Sequence, residues 1–128
     1  MPRSAAGLGD LERAVLDVLW SADGDGWTTV RQVHARLAAD RDIAYTTVMT
    51  VMGRLARKGV LVQRRAGRAY SYRAAGSRSE LTAEMMRATL SELGEQDRSA
   101  ALVAFLREAD AEELQALRAA LERLEGAS

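Results

Sequence analysis

Apolar residues recur at helical spacing in three successive stretches of the first half of the chain. Leu11, Val15, Val18 and Leu19 make the first stripe, broadened by Leu8, Ala14 and Leu16, and predict a helix from about Asp10 to Ser21. Asp10 is placed to cap that helix by accepting from free backbone N–H groups, and Asp23-Gly24-Asp25-Gly26 stops it. Trp27-Thr28 predicts a very short strand. Thr29 and Gln32 then have the spacing of a capping box, opening a second helix with Val30, Val33 and Leu37 inward and an end near Asp40. After the tight connection Arg41 to Ala44, a third helix is expected from Tyr45 or Thr46 to Lys58. Its Val48, Val51, Met52 and Leu55 fall at i, i+3, i+4 and i+7, the core stripe of an amphipathic helix. Gly59 follows where a left-handed C-cap is wanted, and Arg57 and Lys58 complement the helix dipole.

The period then changes. Val60 to Arg65 and Arg68 to Arg73 are β-prone runs joined by an Ala66-Gly67 turn, which predicts a hairpin. Beyond it the helical pattern returns. Ser77 and Glu80 form a second capping box before Leu81, Met85, Met86 and Leu90, and Gly94 interrupts. Leu102, Val103, Phe105 and Leu106 mark another helix. From a box-like start at Asp110, Leu114, Leu117, Leu121 and Leu124 step by three, four and three, the a/d spacing of a helical seam. The expected fold is mainly α with a small β-wing. Residues 1–75 make a winged helix-turn-helix, and residues 76–128 make a helical dimerisation region.

Charge changes the picture more than composition does. The net charge is zero, which alone argues against a nucleic-acid partner. Residues 1–75, however, carry 12 basic and 7 acidic side chains, whereas residues 76–128 carry 6 and 11. From Ile43 to Ser79 there are 8 basic side chains and no acidic one, so a local positive field is hidden by the overall balance. The absence of cysteine removes disulfides, thiolate metal sites and cysteine nucleophiles together. No apolar run is long enough to span a membrane, and Met1-Pro2-Arg3-Ser4 is not followed by the apolar core of a leader. The expectation is a cytoplasmic protein without cofactor or metal.

Opposite the core stripe of the third helix lie Thr46, Thr47, Thr50, Arg54 and Arg57. Threonines let a helix backbone come close to base edges, and their methyls can pack on a thymine methyl, while arginine reaches a guanine edge or a phosphate. The plain alternative is a solvated polar face, but threonine is a mediocre helix former, so three within five residues is a poor choice for stability alone. Arg65 and Arg68, with Arg64 and Arg73, surround the hairpin turn and suit phosphate contact, or else protect an exposed sheet edge. Tyr70 and Tyr72 share one strand face and read as packing residues.

Catalysis has little to stand on. His34, the only histidine, has no nucleophile, phosphate loop or metal cluster to accompany it and is expected at a partly exposed surface position. Asp23 and Asp25 lack the rest of a calcium loop, and the methionines sit at core-like positions. The leucine seam would leave apolar surface bare on a monomer. Met85, Leu102, Phe105, Leu106, Leu114, Leu117, Leu121 and Leu124 are therefore expected to pair two copies, the alternative being a seam that packs on the chain's own winged helix.

Taken in order, several segments resemble the penicillinase repressor (BlaI/MecI-type) family of regulators. They are Leu8-Gly9-Asp10-Leu11-Glu12 with Leu19-Trp20, Thr29 to Val33, Ala44 to Leu55, and Lys58-Gly59-Val60-Leu61. The resemblance implies a homodimeric repressor of resistance or stress genes bound to dyad-symmetric operator DNA, with Thr46, Thr47, Thr50 and Arg54 in the DNA-reading helix. It implies a membrane sensor-protease or a downstream protease as a further partner. The peptide bond corresponding to the family's cleavage point is Ala104-Phe105, with alanine where those members have asparagine. Copper-responsive members use a C-terminal cysteine motif, which this chain lacks. Two other readings remain open at this stage: a winged-helix regulator induced by a small ligand between dimer helices, and a winged helix used for protein association.

Overall fold

The computed structural model describes residues 8–127, apart from the side chain of Ala66. The opening segment Met1 to Ser4, read above as lacking a leader's apolar core, lies outside the described residues. The described residues divide into two compact units, those up to Thr89 and those from Leu90 on.

Three helices and a small sheet build the first unit: α1 (Asp10–Trp20), α2 (Val30–Ala38) and α3 (Tyr45–Arg57), with β1 (Thr28–Thr29), β2 (Leu61–Ala66) and β3 (Ala69–Ala74). The strand order is β1-β3-β2, antiparallel throughout. Val15, Leu16 and Leu19 of α1, Val33 and Leu37 of α2, and Val48, Met52 and Leu55 of α3 meet in one core, closed by Val60, Leu61 and Tyr72. These are the residues that the i, i+3, i+4 spacing puts on one side of each helix. Burying each such side chain contributes about 1.5–3 kcal/mol. The result is the winged helix-turn-helix expected from the order of elements.

Local chemistry sets the boundaries. α3 ends in a Schellman motif: Gly59 has φ +80°, its N–H donates to the Ala56 carbonyl at 3.1 Å, and the Val60 N–H donates to the Leu55 carbonyl at 3.0 Å. The reversal buries Val60 against the core and aims the chain into β2. Three expectations shift by one residue. The N-cap of α1 is Gly9, whose N–H donates to Glu12 Oε1 at 3.4 Å, so Asp10 is the first helical residue and acts on the dipole instead of capping. The first strand is Thr28–Thr29, because the Trp27 N–H is taken by Asp25 Oδ1 at 3.0 Å in an Asx-type turn. Ala66 pairs with Ala69, which leaves Gly67-Arg68 as the hairpin loop, with Gly67 at φ +67° as the first position of a II′ turn requires.

α4 (Arg78–Ser91) opens on the reciprocal Ser77–Glu80 box, with bonds of 3.0 and 3.1 Å. Its start is tied to α1. Leu81 is fully buried in the first unit's core, Arg78 Nη1 donates to Asp17 Oδ1 at 2.6 Å, and Trp20 Nε1 donates to the Gly76 carbonyl at 3.0 Å. The second unit carries α5 (Glu95–Arg107) and α6 (Ala111–Gly126), the latter capped by Asp110, whose Oδ1 accepts from the Glu113 N–H at 2.8 Å. Among the described residues, no side chain of α5 or α6 is buried. No described helix is long and apolar enough to cross a membrane.

Candidate nucleic-acid interface

The presentation of α3 begins in α2. Thr29 and Gln32 close the expected capping box, Gln32 N–H to Thr29 Oγ1 at 3.2 Å and Thr29 N–H to Gln32 Oε1 at 2.9 Å, which fixes the direction of α2. One turn on, His34 Nε2 lies 2.8 Å from the Ile43 carbonyl. A carbonyl only accepts, so Nε2 carries the proton and donates. The same imidazole meets the Tyr45 ring edge-on with centroids 5.8 Å apart. His34 is therefore half-buried, at a partly exposed position as expected, and it also holds the start of α3. Hydrophobic spacing carries no signal for such a bond; only the short distance from α2 to α3 in sequence hints at it.

With Val48, Val51, Met52 and Leu55 turned inward, α3 leaves Thr46, Thr47, Thr50, Arg54 and Arg57 exposed. Thr50 Oγ1 donates to the Thr46 carbonyl at 2.9 Å. Its proton is thereby committed, so Thr50 offers an incoming group an acceptor oxygen and a methyl. Sequence reasoning missed two apolar members of this surface, Tyr45 and Met49, which are 45% and 46% exposed. It also passed over Gly53. Glycine inside a helix costs about 1 kcal/mol relative to alanine. Nothing inside the protein demands it, since a Cβ there would meet only Arg57 Nη1 at 3.5 Å, ordinary contact with the end of a flexible side chain.

On the wing, Arg65 and Arg68 are both exposed. Arg65 Nε donates to the Gly67 carbonyl at 3.2 Å and so braces the turn from which Arg68 projects. Arg64 and Arg73 stack on the Trp27 ring, 4.2 and 4.6 Å from its centroid. Register explains this: Arg73 pairs with Val62 and Arg64 with Ser71, so both arginines stand on the same sheet face. Trp27 precedes β1 by one residue and extends that face. Tyr72, on the opposite face, is buried and accepts from Gln63 Nε2 at 2.9 Å, while Tyr70 stays exposed. The acids that meet the carboxylate-free run come from outside it: Asp25 beside Arg64 and Glu12 beside Lys58, each at 3.9 Å, and Asp17 beside Arg78 at 2.6 Å. Among the described residues no group of His, Asp and Glu side chains is arranged to hold a metal ion.

The residues expected to pair two copies separate into two groups. Met85 packs against the first unit's core and Leu114 is half-buried. Leu102, Phe105, Leu106, Leu117, Leu121 and Leu124 are all exposed, Leu124 to 70%. The Ala104-Phe105 bond lies inside α5.

Residues 8–123 match the penicillinase repressor family. The chain belongs to that family. It is 50% identical over 119 residues to a protein named transcriptional regulator BlaI from Mycobacterium tuberculosis, in both strain CDC 1551 / Oshkosh and strain ATCC 25618 / H37Rv. That alignment covers 92% of this chain and 85% of the relative. A solution structure described as the DNA binding domain of the repressor BlaI superposes with a TM-score of 0.53 at 23% identity, covering 62% of this chain and 93% of the other. At that identity the superposition establishes the winged-helix fold. Membership of the penicillinase repressor family makes this chain a transcriptional regulator and not an enzyme.

Proposed function

We propose that this penicillinase repressor family member represses transcription by binding dyad-symmetric duplex DNA as a homodimer. Thr46, Thr47, Thr50, Arg54 and Arg57 of α3 face the bases, while Arg65 and Arg68 of the wing face phosphates. One observation carries the reading: the side of α3 left over after core packing is exposed and presents threonines beside arginines, within a stretch that holds no carboxylate. An α-helix is about 10–12 Å across with its side chains and the major groove about 12 Å wide, so such a face fits the groove, with threonines close to the bases and arginines able to reach a guanine edge. The relatives' names point the same way, and the penicillinase repressor description makes resistance genes the first targets to examine.

What supports a second copy is the exposed apolar face of α5 and α6. Helices of this length are marginal alone in water and gain their stability by packing an apolar face. The exposed leucines and Phe105 supply such a face, and a twofold mate would cover it with its own. Two linked α3 helices would read two half-sites together. Proteolysis between Ala104 and Phe105 would detach α6 and thereby relieve repression by uncoupling the half-sites.

The test is a titration of duplex DNA at rising salt. Phosphate contacts release counterions, so log K falls linearly with log salt, by about 0.9 per phosphate neutralised. A slope of several units supports DNA binding. A flat response would leave protein association as the use of this winged helix.

A further inference from the structure

Gly53 sits at the centre of the exposed side of α3. Residues 46, 50, 53 and 57 follow one line along the helix, at i, i+4, i+7 and i+11. That line reads Thr46, Thr50, Gly53, Arg57, and it is diametrically placed to the core residues Val48, Val51, Met52 and Leu55. The only residue on the line without a side chain is thus also near its middle. Each internal reason for a glycine fails. Gly53 does not have a positive φ, as Gly59 and Gly67 do. It does not face a crowded neighbour, since the sole atom near an added Cβ is the tip of Arg57 at an ordinary distance. It sits inside a helix that alanine would strengthen. A residue unfavourable to the fold and not required by it points to something outside the chain.

We infer that Gly53 is the point at which α3 touches DNA most closely, kept without a side chain so that a base edge comes up against the helix backbone. This rests on the DNA-binding reading above and adds to it a specificity-determining position. An α-helix nearly fills the major groove, so there is little slack to absorb an extra group at the centre of the docked face. Thr46 and Thr50 are short polar side chains, and they reach base edges only when the helix sits deep. A methyl at residue 53 lifts the helix off the groove floor and pulls both threonines away with it. Arg65 and Arg68 of the wing, long and flexible, still reach phosphates from the raised position. The loss therefore falls on sequence reading and spares general affinity.

Gly53→Ala tests this because its two expected effects have opposite signs. The probe is the duplex that the wild-type chain selects from random-sequence DNA, compared with an unrelated duplex of equal length. Gly53→Ala is expected to raise the urea midpoint of the first unit. It should weaken the selected duplex about tenfold or more, the size of one lost base contact, while the unrelated duplex binds within about twofold of wild type. Gly53→Ser, which adds similar bulk with a hydroxyl, is expected to weaken the selected duplex in the same way. If both variants bind the selected duplex like wild type, the close approach does not exist. If Gly53→Ala lowers the urea midpoint, the glycine serves the fold and the inference fails. Wild-type selection is done first: a wild-type chain that enriches no sequence overturns the DNA-binding reading itself, a result distinct from failure of the Gly53 step.

Discussion

Residues 8–89 and 90–127 are both built largely of helix, and both owe their helices to clear local signals. They differ in what the helices do with their apolar faces. In the first unit α1, α2, α3, the sheet and Leu81 of α4 enclose a core in which Val15, Val33, Val48, Met52 and Leu55 are almost wholly buried. In the second, the leucines of α6 occur at equally regular spacing, yet Leu117, Leu121 and Leu124 remain exposed. Capping and periodicity therefore decide where a helix forms, and only burial decides whether it is stable by itself. The first unit has its own burial. The second is complete only with more apolar surface than its own helices cover, and on the proposed reading a second copy supplies it.

The largest effect expected from this contrast is on DNA binding by a chain truncated after Ala104. Loss of the exposed seam should abolish pairing and lower affinity for a dyad-symmetric duplex by about 10²–10⁴-fold, the usual gain from linking two sites. Leu117→Glu should reproduce that loss in the full chain by placing a charge in the seam, and sedimentation velocity would show a monomer. A truncated chain that still sediments as a pair and binds normally would place the pairing surface elsewhere. Next in size is Leu55→Ala, which opens a cavity in the first core and should cost about 2–5 kcal/mol. Its cost should not vary with protein concentration, whereas melting of the second unit should, and urea unfolding at two concentrations separates them. Arg54→Ala leaves both units folded and should cost about 1–3 kcal/mol of binding with altered sequence preference, read by competition among duplexes. The smallest effect is expected of Arg68→Ala: weaker binding of all duplexes alike and a salt slope lower by about 1.

The elements of the fold were legible in the sequence because each was specified locally. The 3.6-residue stripes, the Thr29–Gln32 and Ser77–Glu80 boxes and the Gly59 reversal all act within a few residues of themselves. One-residue shifts arose where two local groups compete for one backbone donor, as Asp25 does for the Trp27 N–H. The threonines and arginines of α3 were legible as the remainder of a helix whose other side is core. His34 holding the start of α3, and the stacking of Arg64 and Arg73 on Trp27, were not legible. Each joins residues from different elements, and the pairing depends on register and helix direction, which no local pattern encodes. Gly53 was visible in the sequence but carried no meaning until the space around it was known.

The most direct test of two copies reading DNA through α3 is hydroxyl-radical footprinting of the full chain on the duplex it selects. Two protected patches related by a dyad and centred about one helical turn apart, or a whole multiple of it, are predicted, with both lost in the chain truncated after Ala104. A single patch without twofold symmetry, unchanged by the truncation, would contradict it.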